Sequence, residues 1–109
     1  MTRDHPPDDD DILRIAATPH RALLLEEAIT ATCGDRNRDY GEPVENHEHI
    51  ARIFNAWTGH DLTAREVVQV LICVKMARRT TSPTHRDSYV DSMAYAGIEY
   101  ETALAEGGK

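Results

Sequence analysis

Aromatic residues are scarce: one Trp, one Phe and four Tyr make up 6% of the 109 residues. The core must therefore be aliphatic, built from Leu, Ile, Val and Ala. There are only two cysteines, Cys33 and Cys73, each among apolar neighbours in a stretch that reads as helix. That excludes a disulfide scaffold and predicts two reduced, buried small hydrophobes in a cytosolic setting. No apolar run approaches the ~20 residues that a membrane span needs. The acidic start MTRDHPPDDDD lacks the apolar stretch of a secretory signal, so a cytoplasmic protein with no membrane partner is expected. Positive charge is short as well, with 12 Lys and Arg against 19 Asp and Glu and a net charge of -7. Phosphate-dominated DNA binding is disfavoured on that balance, and no sequence-specific nucleic-acid partner is expected. Gly-rich phosphate loops and Gly-x-Ser-x-Gly elbows are missing. His47, His49, His60 and His85 have no His-x-x-x-His spacing, so no zinc site is expected.

What is present reads as one helical domain, since a chain of this length fits a single core. Residues 1–11 carry five of the Asp residues and read as a disordered acidic tail, with residues 12–106 as the domain. The Asp8–Asp11 run can also cap a short helix over 12–17. Thr18-Pro19 opens a helix over His20–Cys33 that Gly34 ends. A polar loop from Asp35 to Pro43 precedes a helix from Val44 to about Thr58-Gly59. Its apolar stripe is Ile50, Ile53, Phe54 and Trp57, with His47 one turn earlier. Thr63-x-x-Glu66 is a capping box for a helix reaching about Arg79. A last helix runs from about Thr84 to Ala105. No stretch alternates with period two, so the fold class is all-α, a bundle of four to five helices.

The stretch Val67–Ala77 is apolar almost all round, which predicts a centrally buried helix and, in so small a domain, a homo-oligomer interface. Lys75 stands inside that stretch, with Arg78 on the same face. An unpaired buried ammonium is costly, so Lys75 needs an anion or must reach out to water. Asp87 and Asp91 share a face of the last helix, and Tyr95 extends it. The simplest packing sets Lys75 and Arg78 against Asp87 and Asp91. Two readings of that cluster stand side by side. One is an ion-pair network that fixes helix register and needs no ligand. The other is a phosphate-handling site, with carboxylates on a divalent cation and the cations on phosphate oxygens. Glu27, and Glu48 with Glu45 at i, i+3, are further acids. Arg36, Tyr40 and Gly41 enrich the loop, Tyr40 offering a stacking face, and Asn46 can hydrogen-bond a base or sugar.

The ordered set Arg36-x-x-x-Tyr40-Gly41, Asn46, Lys75-x-x-Arg78, Asp87-x-x-x-Asp91 and Ala94-Tyr95 resembles a family of small phage and prophage helical proteins. They look related to nucleotide-modification-associated helical domains. The resemblance spans about residues 22–101. More distantly the layout is similar to the MazG-like all-α nucleotide pyrophosphohydrolases. That likeness implies a Mg²⁺-dependent hydrolase of nucleoside phosphates in the host cytoplasm. Asp87 and Asp91, with Glu27 or Glu48, would hold the metal, and Lys75, Arg78 and Arg36 would meet the phosphates. Asn46, Tyr40 and Tyr95 would contact the nucleoside. The chain departs from the MazG pattern in two places: Thr30 stands where an acid is expected after Glu26-Glu27, and Asp87 and Asp91 are one residue wider apart than the usual pair. Two alternatives follow. One is a protein that binds a nucleotide or nucleotide-derived signal without cleaving it. The other is a structural helical dimer.

Overall fold

The computed structural model describes residue 6 and residues 8–34 and 41–107, and every described regular element is a helix. There are five: α1 (Asp9–Ala17), α2 (His20–Cys33), α3 (Pro43–Thr58), α4 (Ala64–Thr81) and α5 (Arg86–Ala105). Local chemistry sets their ends. Asp8 caps α1 by accepting from the Asp11 amide at 2.8 Å, and Asp11 accepts from the Asp8 amide at 3.4 Å, so α1 starts inside the acidic run. Four acids at the positive end of a helix dipole favour that start. Thr63 and Glu66 form the expected capping box of α4, with bonds of 3.1 and 3.0 Å. Pro43 occupies the first turn of α3, and Gly59 ends α3 at φ 75°, a conformation that disfavours side chains. Asn55 then closes the α3–α4 turn. Its amide donates to the Leu62 carbonyl and accepts from the Leu62 amide, both at 2.9 Å.

α5 is the hub and packs on α2, α3 and α4, most extensively on α4. The α4–α5 pair is antiparallel, as its contacts show in sequence. Arg65 meets Glu106 at 3.4 Å, Gln69 meets Glu99 at 3.2 Å, and Lys75 meets Asp91 at 2.8 Å. At the far end the Arg79 guanidinium lies 5.3 Å from the centre of the Tyr89 ring. The Tyr89 hydroxyl donates to the Pro83 carbonyl at 2.6 Å and pins the short turn. α2 is tied to α5 by Arg86 and Glu27, and α1 to α2 by Arg14 and Glu26.

The buried apolar residues are Ala28, Ala51, Val67, Val68, Val90 and Ile98, aliphatic as composition requires. Two expectations are corrected. α4 is not covered all round: Val67 and Val68 are buried, whereas Val70, Val74 and Met76 are exposed. α4 packs on α3 and α5, and the outer part of its circumference is left facing water. Cys33 and Cys73 are exposed free thiols instead of core residues, Cys73 because it lies on that outer face. α1 buries no residue, and Ile12, Leu13 and Ile15 remain exposed.

Candidate functional site

A cavity of about 230 Å³ opens where α2, α3, α4 and α5 converge. Helical spacing supplies its walls. Pro43, Asn46, His47 and Ile50 recur at one-turn intervals along α3. Asp91, Ala94, Tyr95 and Ile98 do the same along α5. Leu71 of α4 closes the side, and Ala31 and Thr32 come from the end of α2. Ile50, Leu71, Ala94 and Ile98 make the lining mostly apolar, with five polar side chains set into it: Thr32, Asn46, His47, Asp91 and Tyr95.

His47 is the most enclosed of these, 5% exposed. Its Nδ1 lies 2.6 Å from the Pro43 carbonyl oxygen. A carbonyl only accepts, so Nδ1 carries the hydrogen and donates it. The imidazole stands edge-on to the Tyr95 ring, with centroids 6.3 Å apart. Next to the cavity, Lys75 reaches Asp91 with a side chain only 14% exposed, and Asp91 Oδ2 accepts at 2.8 Å. The carboxylate lies at the border of burial and solvent, so the pair is half wet. Among the described residues, the Asn46 amide, the His47 Nε2 and the Tyr95 hydroxyl have no hydrogen-bond partner in the protein. These three groups open on the cavity and are free to bond water or a ligand, and convergent polar groups set in apolar walls are what a small-molecule site offers.

The structure thus brings Asn46, Lys75, Asp91 and Tyr95 together as the sequence proposes. It leaves others apart. Arg78 and Asp87 are exposed, and among the described residues no ion pair joins them. Arg78 sits beside Thr81, Ser82 and His85 at the end of α4, away from the cavity. Glu27 is engaged by Arg86, which donates from Nε at 2.8 Å and from Nη2 at 2.6 Å. Glu48 is exposed on α3. Among the described residues no group of three or more His, Cys, Asp or Glu side chains is placed to hold a metal. Of the four carboxylates expected to ligate Mg²⁺, Asp91 is paired with Lys75 and Glu27 with Arg86. Arg36 and Tyr40 lie outside the described residues. His47 is the site residue that the sequence did not mark. Its signal was a histidine on an apolar stripe, one turn after a first-turn proline whose carbonyl is free to accept.

A family model described as a domain of unknown function (DUF6378) matches residues 23–103. The Gene 55 protein of Mycobacterium phage D29 is 38% identical over 74 residues, covering 68% of this chain and 49% of the phage protein. The Gene 55 protein of Mycobacterium phage L5 is 38% identical over 84 residues, covering 76% of this chain and 54% of the relative. The chain spans about half the length of these relatives. No solved structure matches it. The match covers every residue of the cavity. No described helix is long and apolar enough to cross a membrane.

Proposed function

The chain belongs to the DUF6378 family. We propose that it binds a nucleotide or nucleotide-derived small molecule in the cavity between α2, α3, α4 and α5. The observation that carries this reading is the unpaired set Asn46, His47 and Tyr95 beside the Lys75–Asp91 pair. Apolar walls suit the flat faces of a base, and the polar groups fix its edge. The ligand pool would be that of the host cytoplasm in a phage-infected cell. Capture without cleavage fits better than hydrolysis. Pyrophosphate release of the MazG-like kind would draw on Asp87 and Asp91, one turn apart on α5, with Mg²⁺ to polarise the phosphate. Asp91 would then have to exchange Lys75 for the metal, and Glu27 would have to release Arg86.

Thermal unfolding in the presence of nucleoside mono-, di- and triphosphates, each with Mg²⁺ and with chelator, tests the reading. Ligand at a hundred times its dissociation constant adds about 2.7 kcal/mol. A rise in Tm that survives chelator, with ligand recovered intact, is expected. A rise that needs Mg²⁺ and is followed by pyrophosphate release would shift the reading to hydrolysis. No rise with any nucleotide would leave Lys75 and Asp91 as a register-setting pair only.

We also infer that a second copy covers the outer face of α4. Val70, Cys73, Val74 and Ala77 recur at i, i+3, i+4 and i+7, are all exposed, and form an uncharged stripe. Glu66 stands near one end of α4 and Arg78 near the other. Two copies crossing antiparallel about Cys73 and Val74 therefore set opposite charges toward each other. Sedimentation of the protein is expected to show a dimer, and mild oxidation to link it through Cys73.

A further inference from the structure

We propose that the cavity reads the amino-bearing edge of a nucleobase, and that the Nε2 of His47 is the group that sets this preference. The inference rests on the nucleotide reading above and narrows it to adenine, cytosine or guanine.

The argument is a count of donors and acceptors. With the Nδ1 hydrogen given to the Pro43 carbonyl, the tautomer of His47 that this contact selects offers its lone pair at Nε2. That nitrogen has no partner among the described residues. The buried side-chain atoms without a partner, among the described residues, are Arg79 Nε and Ser88 Oγ. His47 Nε2 is not one of them, so the small exposure His47 retains includes this atom, and His47 lines the cavity. Asp91 is a second fixed acceptor, its Oδ2 held by Lys75 and its Oδ1 without a partner among the described residues. Asn46 and Tyr95 can each donate or accept. Two acceptors side by side call for donors from the ligand, and an exocyclic amino group carries two. A keto oxygen in that place sets lone pair against lone pair and leaves the protein acceptors unmatched.

Size points the same way. At about 230 Å³ the cavity is below the ~300–1,000 Å³ of pockets that enclose drug-sized ligands. That is room for a base against the apolar lining that includes Ile50 and Leu71, with ribose and phosphates left outside.

The test is calorimetric titration of the full chain with matched pairs, AMP against IMP and CMP against UMP. The amino member is expected to bind at least tenfold tighter, since a site built for a donor rejects the analogue that lacks it. In ¹⁵N-labelled protein the Nε2 resonance of His47 should move as AMP is added while Nδ1 stays protonated. His47→Gln puts an amide of either polarity near the Nε2 position and should bring the ratio within each pair toward one. If that variant does not fold, the ¹⁵N titration of the unaltered protein decides. Binding without preference, or tighter binding of IMP and UMP, overturns the inference and leaves the nucleotide reading standing. An amino preference with an unmoved Nε2 resonance removes His47 from the role. No binding by any of the four, nor by GMP, overturns both.

Discussion

The inner and outer faces of α4 differ in an instructive way. On the inner side Leu71 closes a cavity and Lys75 reaches Asp91, and nearby polar groups have no partners among the described residues. On the outer side Val70, Cys73 and Val74 lack apolar partners under solvent. Both surfaces are incomplete, in opposite senses. A polar set in an apolar recess suits a small molecule with matching donors, and an uncharged stripe on a convex helix suits another helix. The apolar content of a segment does not decide where it is buried. Which neighbours flank it does.

That contrast can be broken at graded strengths. The largest effect is expected from Asp91→Leu, which leaves the Lys75 ammonium enclosed without a counter-ion. A loss of about 3 kcal/mol in denaturant unfolding is expected, the low end for a broken buried pair because Asp91 is partly wet. Lys75→Met with Asp91→Leu should recover most of it. If the double variant is as unstable as the single, charge burial is not the cause. Next comes a single chemistry applied on both sides of one helix. Val68→Ala, at a position 0% exposed, should cost about 2 kcal/mol, and Val74→Ala less than about 0.5 kcal/mol in the monomer. Equal costs would erase the distinction between the faces. Thr63→Ala removes the cap that starts α4 and should lower stability by about 1 kcal/mol whichever face is considered. The smallest effect on monomer stability is expected from Val74→Glu, which should still convert the dimer to a monomer in sedimentation. A wild-type chain that is already monomeric at every concentration would sink the second-copy reading.

Much of the fold was legible because helix ends are written locally. Thr63 with Glu66, Gly34 and Gly59 bound their helices within a residue or two of where the structure places them, and Pro43, read as the end of the loop, is the first residue of α3. The Lys75–Asp91 pair was legible from the cost of an unpaired ammonium. The companion pair of Arg78 and Asp87 did not form, because Arg78 stands in the last turn of α4, where its side chain reaches water without help. Which face of α4 stays open is a matter of tertiary neighbours, and the residues of α4 carry no sign of it. His47 escaped notice for a related reason. Its role depends on a main-chain carbonyl one turn back, and a side-chain pattern does not display main-chain acceptors.

The Asn55 clamp has a consequence for the order of folding. It joins groups seven residues apart and supplies both halves of a hydrogen-bonded pair to one peptide unit. The bridge from α2 to α5 joins groups 59 residues apart. Closing a short loop costs little chain entropy and proceeds quickly. The α3–α4 and α4–α5 hairpins, each closed by a short turn, should therefore form first and offer a template on which α2 settles, so that the ligand cavity is completed only at the last step. Asn55→Ala should slow folding, while Glu27→Gln should mainly speed unfolding. Equal effects on the folding rate would contradict that order.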